Sequence, residues 1–593
     1  MESQKRENLL NLALQVTEEE RQKSLELNVG VMEGDRWEII VKYHGNVAEK
    51  LEQLEKQYAT SFQTEFLLPG YAILTVNRRY LDSISDLPEI DYIEKPKALY
   101  EEAVSIDQAN RSSCVAEVTL REPFLTGKGV LIGIPDSGID YKDAAFLTPD
   151  GNTKIAYLWD QTKEGRAPVG FYGGTEFSGE EINQSIVNDT EITFDRSGHG
   201  TAIADICVGE GAADESELLI VKLGSGNEQG FSRTTELMRA ITWMLQKASE
   251  LEKPLVINIS YGNTYGAHDG TTLLETFLDT AADVYKTVIC VGSGNEGAAA
   301  GHIALVCDEE TQVEWSIVPF QEAINISFWK NYIDQISLTL VSPSGQREKL
   351  QLSQPGKQEI ILENTRLILY IGEPTPYSQL QEYYFEFQAI DEIQGNGQIS
   401  TGIWKLLISP VNVVDGYCSL YMPSAVVLGS GTNFYRATSD TTLTIPSTAN
   451  KVITVGAYDI VYEEYADFSG RGYALFSENE RREGTVSRES GLWKTRVQKP
   501  DLCAPGVDIL VRDGRGGFQV VSGTSFAAPF VTAAAALLME WGIVRGNDPY
   551  LYGEKVKAYL CRGAKELRGI LDYPNERAGW GALCVERSLP YRT

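Results

Sequence analysis

The apolar positions of this chain keep one rhythm after another, and the changes mark out its parts. Trp37 to Tyr43 is a β-prone run, and Val47, Leu51, Leu54 and Tyr58 then recur at spacings of 4, 3 and 4, which predicts a helix with one apolar face. Strand candidates follow at 61–68 and 71–77, split by the turn pair Pro69-Gly70. A short helix from Tyr80 to Leu87 and a last strand from Ile90 to Glu94 complete a β-α-β-β-α-β order, the split βαβ arrangement. Residues 1–30 are charged and helix-prone, with Thr17 as a cap candidate before Glu18, Glu19 and Glu20.

From Gly129 the pattern changes to continuous apolar runs, Val130 to Ile134, Leu218 to Leu223, Pro254 to Ile259 and Thr287 to Val291. Such runs mark strands buried on both faces of a parallel sheet. A helical face of Leu237, Ile241, Met244 and Ala248, and a second helical stretch from Leu273 to Val284, alternate with them. Strand and helix in alternation predict an α/β fold with a doubly wound sheet. Residues 302–436 break this rhythm with short β-prone segments such as Ile324 to Trp329, Gln335 to Val341 and Arg366 to Tyr370. They predict an all-β jelly roll or sandwich inserted into the α/β unit, which resumes at Val452 to Gly456. The expected divisions are 1–100, 101–301, 302–436 and 437–593.

Composition narrows the partners. Against 83 acidic residues stand 52 Lys plus Arg, a net charge of −31. A nucleic-acid binder needs a basic face, and a membrane-surface protein a polybasic one, so neither partner is expected. The N-terminus has no apolar signal core and no run approaches membrane-spanning length, which predicts a soluble protein, cytoplasmic as synthesised. The eight cysteines show no CxxC pairing, so zinc-ribbon and thioredoxin readings lack support. Any imidazole chemistry must use His44, His199, His268 or His302.

Three segments carry candidate chemistry. Asp136, in Gly133-Ile134-Pro135-Asp136-Ser137-Gly138, lies at the carboxyl end of a buried strand, where open α/β sheets place their sites. His199 opens a helix between two glycines in Gly198-His199-Gly200-Thr201-Ala202. Ser525, in Gly523-Thr524-Ser525-Phe526-Ala527-Ala528-Pro529, begins a helix so rich in alanine that it must be buried. Singly, each has a plain structural reading as a cap or turn. Together they give the order Asp, His, Ser, one of the known orders of a nucleophilic triad. In Gly292-Ser293-Gly294-Asn295-Glu296-Gly297, Asn295 is a side-chain donor of the kind that acyl-transfer sites aim at a developing oxyanion.

These blocks, with Lys499-Pro500-Asp501-Leu502-Cys503-Ala504-Pro505-Gly506, resemble the signature blocks of the subtilisin-like serine proteases (subtilases) over roughly residues 105–300 and 437–593. The 35–97 unit is similar to the ferredoxin-like subtilase prodomain, an intramolecular chaperone that also blocks the cleft. The insertion between the Asn and Ser blocks resembles that of the Csp-type germination proteases of clostridial spores. This implies a serine endopeptidase with a self-cleaved prodomain, spore-associated in its setting. Asp136, His199 and Ser525 would form the triad, Asn295 and the Ser525 N–H would bind the oxyanion, and cleavage would fall within Glu94 to Ala103. A substrate peptide would add as a strand between Leu223-Gly224-Ser225-Gly226 and Ser260-Tyr261-Gly262-Asn263, with Gly262, Ser293 and Gly294 lining the primary pocket.

Other readings stay open at this level. Csp-type groups include members that have lost triad residues, so a catalytically silent signalling or scaffold protein is the alternative. The insertion either braces the catalytic domain or binds a ligand of its own. No cofactor is implied. Subtilases often bind calcium, but no DxDxDG loop occurs here.

Overall fold

The structure is a computed structural model and describes residues 4–101, 119, 122–209, 212–224, 231–390, 397–429, 431–473 and 498–590. Its centre is a nine-stranded sheet. Leu131–Asp136 lies between Glu217–Lys222 and Leu255–Ile259; Thr287–Gly292, Ile453–Asp459 and Leu502–Pro505 extend it on one side and Ile155–Asp160 on the other, all parallel. The antiparallel pairs Thr175–Ser178 and Glu464–Tyr465 close its ends. Leu131–Asp136 is buried at every position, as a strand covered on both faces must be. Helices Thr234–Glu250 and Leu273–Ala282 cover one face, packing Leu237, Ile241, Met244 and Phe277 on the strands. His199–Val208 and Thr524–Met539 cover the other. Every residue of Thr524–Met539 is buried, in keeping with its alanine content. Continued to Val544, this helix is 21 residues long and apolar enough to cross a membrane by length and composition, where no run of membrane-spanning length was expected. Its burial inside the protein makes it a core helix.

The N-terminal unit follows the expected order, with Arg36–Tyr43, Val47–Tyr58, Gln63–Phe66, Tyr71–Asn77, Leu81–Ser85 and Ile90–Glu94. Ahead of it, Asn8–Gln15 and Glu18–Lys23 are helices, and Thr17 caps the second through a reciprocal pair with Glu20. This arm packs on two partners at once. Leu9, Leu10, Leu12 and Ala13 share a core with Trp37, Ile39 and Ile93 of the N-terminal unit and with Ile368, Tyr370 and Tyr384 of the insertion.

The insertion consists of two antiparallel sheets, one of six strands and one of five, around a shared core that includes Trp315, Phe328, Phe385 and Trp404. Its strand Leu380–Ala389 is buried at all ten positions instead of at alternate ones. Phe385 and Phe387 face the sandwich core, while Tyr384 packs with the arm and Gln388 Nε2 donates to the Glu20 carbonyl at 2.8 Å, so the arm replaces solvent on the second face. Glu20 of the arm adds ion pairs to Lys357 at 3.5 Å and Arg366 at 3.4 Å.

Buried ion pairs hold the N-terminal unit on the α/β domain. Arg239 of helix Thr234–Glu250 reaches Glu38 at 2.8 Å and Glu65, and Arg233 reaches Glu38 at 3.2 Å. Thr235 also donates to Glu38 at 2.6 Å. Burial alone would raise the Glu38 pKa, but the two guanidiniums outweigh it and hold the carboxyl below its usual range. A carboxyl held down in this way contributes stability that is complete above its ordinary pKa of 4.5 and fades as pH falls through the lowered value. We expect Glu38→Gln to destabilise the protein by about 2 kcal/mol near neutrality, since it removes one carboxylate partner from each guanidinium while Arg239 keeps Glu65 and Arg233 keeps Glu236. Urea denaturation should show the gap to wild type narrowing as pH falls below that range.

Candidate active site

The three candidate side chains come from three elements that meet at the carboxyl edge of the sheet. Asp136 ends the strand Leu131–Asp136, His199 is the first residue of its helix, and Ser525 is the second residue of the core helix. His199 Nδ1 and Asp136 Oδ1 are 2.8 Å apart, and both residues are buried. Gly200 permits this approach: a Cβ there would lie 2.2 Å from the Gly138 carbonyl and 3.1 Å from the Asp136 Cβ. Asp195 fixes the entry to the His199 helix, accepting from Gly198 N at 3.0 Å, Thr201 N at 2.9 Å and the Ser137 hydroxyl at 2.8 Å.

Ser525 is tied to the neighbouring strand in both directions. Its hydroxyl donates to the Ser260 carbonyl at 3.1 Å, and the Ser260 hydroxyl donates to the Ser525 carbonyl at 3.0 Å. The hydroxyl therefore does not point to His199, whose Nε2 is buried without a hydrogen-bond partner among the described residues. Asn295 is anchored at one end only. Its Oδ1 accepts from Thr524 N at 3.0 Å and from the Thr524 hydroxyl at 3.2 Å, and its buried Nδ2 has no partner among the described residues. An amide donor left unspent beside a helix N-terminus, whose first N–H groups have no intrahelical acceptor, makes a site prepared for negative charge.

A feature absent from the sequence reading lies across this site. Residues Ala98–Glu101, just after the N-terminal unit, form a strand between Ser232–Arg233 and Tyr261–Gly262, antiparallel to both. Leu99 stands opposite Ser232, Tyr100 opposite Gly262 and Glu101 opposite Tyr261. Ser260, Tyr261 and Gly262 thus lie where a peptide edge was expected. Among the described residues the other edge is Ser232–Arg233; of the expected Leu223–Gly226 stretch, Gly224 N is bound to Gln161 Oε1 at 3.0 Å, and Ser225 and Gly226 lie outside the described residues. Next to this edge, Thr234 N donates to the Lys97 carbonyl at 2.9 Å. Ser293 is fully buried and 3.2 Å from the Ser469 hydroxyl, so it supports the loop from behind. Gly294 N donates to the Thr524 hydroxyl at 3.0 Å, and a Cβ at Gly294 would lie 2.5 Å from Thr444, the neighbour on that side.

Glu101 reaches the centre of the site. Its Oε1 accepts from the Tyr261 hydroxyl at 3.1 Å and from the Ser197 hydroxyl at 3.0 Å. Ligand atoms of Glu101, Asp136 and His199 lie within 4.8 Å of one another. The group has metal-ligand chemistry, but each carboxylate is already engaged by hydrogen-bond donors. Burial works against a charged His199, but the carboxylates of Asp136 and Glu101 outweigh it and raise the imidazole to about 9. Burial pushes the Asp136 carboxyl up, opposed by His199 and reinforced by Glu101. Of the other histidines, His44 is exposed on Asp91, and His268 and His302 are buried and stacked on Tyr421.

The comparisons with known proteins agree with this arrangement. The model of the Csp protease B prodomain matches residues 4–97, and that of the subtilase family matches residues 127–384 and 369–581. Among solved structures, the CspB protease of Clostridium perfringens is 32% identical, with a TM-score of 0.71 over 81% of this chain and 96% of that one. The serine protease AprX of Bacillus subtilis is 29% identical over 25% of this chain and 32% of its own length. Subtilisin E of the same species is 23% identical over 40% of this chain and 52% of its own length. The chain thus spans about a third to a half of these two curated relatives. With a prodomain joined to a sheet that gathers Asp136, His199 and Ser525 at one edge, the chain belongs to the subtilase family of serine-type endopeptidases.

Proposed function

We propose that this protein is a serine endopeptidase that hydrolyses peptide bonds through an acyl-enzyme and first cleaves its own prodomain. The observation that carries the reading is the strand Ala98–Glu101, seated as a substrate would be, beside the Asp136–His199 pair and Ser525. Backbone pairing on both edges supplies affinity, and side-chain pockets supply selectivity. Glu101 stands opposite Tyr261, and the next residue of a peptide continuing that register would stand opposite Ser260, whose carbonyl holds the Ser525 hydroxyl. In this chain that residue is Glu102, so cleavage is assigned to the Glu102–Ala103 bond. It falls within the expected window, and both residues lie outside the described ones.

In the proposed mechanism the Ser525 hydroxyl rotates from the Ser260 carbonyl to His199 Nε2. The imidazole takes its proton during attack on the carbonyl carbon and returns it to the leaving amine. Asp136 holds the ring through Nδ1 and stabilises the imidazolium. The Asn295 Nδ2 and the Ser525 N–H receive the oxyanion. Water then releases the acyl group by the same proton path in reverse. The two-sheet insertion is proposed to be a jelly roll that braces the catalytic domain and, through the arm, the prodomain. The Csp protease B type of prodomain supports a role in spore germination, with protein or peptide as substrate.

Intact-mass analysis tests the core of this reading. Wild type should give two fragments separated after Glu102, and Ser525→Ala a single full-length chain. Full-length wild type would count against an active enzyme. Asn295→Ala should slow processing by about 10²–10³-fold, the usual cost of one oxyanion donor, and an unchanged rate would remove Asn295 from that role. With Glu101 seated, the His199 imidazole should titrate near pH 9 in the Ser525→Ala protein, measured by NMR of the ring protons. The processing rate should rise with pH towards that value as the ring loses its proton and becomes able to act as base. Glu101→Gln should lower the midpoint.

A further inference from the structure

The side chain of Glu101 is held by more than its backbone. Strand pairing accounts for the position of its main chain, but the carboxylate also receives two hydroxyl donors from the α/β domain, Tyr261 at 3.1 Å and Ser197 at 3.0 Å. Tyr261 is buried, and it also meets His199 edge-on at a centroid distance of 5.9 Å. Ser197 belongs to the turn that opens the His199 helix, and its hydroxyl also accepts from His199 N at 3.2 Å. The donors are thus fixed parts of the site. A carboxylate accepts several hydrogen bonds at once, and bonds to a charged acceptor are about twice as strong as neutral ones. A lysine in the same place has no acceptor for the two hydroxyl protons, although the Asp136 carboxylate lies close by, and an apolar side chain would leave a buried hydroxyl unpaired.

We propose that Tyr261 and Ser197, beside the His199 imidazole, form a carboxylate-reading subsite, so that the enzyme selects peptide segments with Glu or Asp as the second residue before the scissile bond. The inference rests on the serine-protease reading and names its substrate class. The prodomain uses the same subsite after cleavage. Glu101 then keeps its strand in the cleft and keeps a negative charge against the imidazole, which retains the proton that attack by Ser525 would need to pass on. Acidic segments therefore bind tightly and turn over best at alkaline pH, where the ring is neutral in their presence.

The test uses the full chain and a series of peptidyl diphenyl phosphonates, identical except for Glu, Asp, Gln, Ala or Lys next to the phosphonate-bearing residue. Labelling of Ser525 is measured at about pH 9.5, where the ring is free to act as base. Glu and Asp should label about ten-fold or more faster than Gln, as expected when charge-assisted bonds are lost. In Tyr261→Phe and Ser197→Ala, singly and together, the ratio of Glu to Gln rates should fall towards one. A wild-type protein that takes a plain fluorophosphonate but labels at equal rates across the series would overturn the subsite and leave the protease reading standing. A Glu preference that survives in the double variant would also overturn it, because the selectivity would lie elsewhere. A wild-type protein that takes no fluorophosphonate would overturn the protease reading and the subsite with it.

Discussion

Asp136 and His199 meet 2.8 Å apart with almost no access to solvent, and charge taken out of water holds only where further polar groups surround it. The structure around them meets that requirement. Asp136 Oδ1 also accepts from Ser137 N at 2.7 Å, and the Ser137 hydroxyl donates to Asp195, which secures the start of the His199 helix. The sheet brings the aspartate to its carboxyl edge, and glycine at 200 lets the helix come close enough to meet it. A side chain at that position would push the imidazole away, and the pair would be lost before any chemistry began.

The same economy of charge explains why the prodomain is a layer of the fold and not an appendage. Arg233 and Arg239 of the α/β domain are largely buried, and much of the negative charge that balances them comes from Glu38 and Glu65 of the N-terminal unit. Glu94 adds an acceptor at the start of the helix Leu273–Ala282, taking Leu273 N at 3.1 Å. Removing the prodomain would leave Arg233 with Glu236 alone and would take Glu38 and Glu65 from Arg239, and breaking a buried pair by removing one partner costs several kcal/mol. The arm extends the same layer to the insertion, so prodomain, α/β domain and inserted sheets share a continuous interior.

That continuity connects folding to regulation. A strand that completes the cleft on both edges also occupies the place a substrate needs. The pieces that make the prodomain hard to remove, its buried ion pairs and the Glu101 carboxylate, lie on the same polypeptide that the site would cut. Cleavage of a bond after Glu101 would leave all of these contacts intact, so hydrolysis and release of the cleft are separate events governed by separate interactions.

Much of this was legible in the residues themselves. Short continuous apolar runs marked two-sided strands, the 4, 3, 4 spacings marked one apolar helical face, and the order Asp136, His199, Ser525 in glycine-flanked blocks carried a chemistry that requires those residue types together. What the sequence could not state was contact between segments far apart along the chain. Ala98–Glu101 is four residues long and has no periodicity that marks it as a strand; it is one because Ser232–Arg233 and Tyr261–Gly262 offer unpaired edges on either side. The resemblance to subtilases implied an outer edge at Leu223–Gly226, but among the described residues the pairing is with Ser232–Arg233, next to which Thr234 N meets the Lys97 carbonyl and the Thr234 hydroxyl meets Lys97 N. The all-buried strand Leu380–Ala389 and the charge of His199 beside Glu101 have the same origin. Local chemistry and periodicity are properties of neighbouring residues and survive in the sequence, whereas register, burial and the field at a side chain depend on what the folded chain brings next to it.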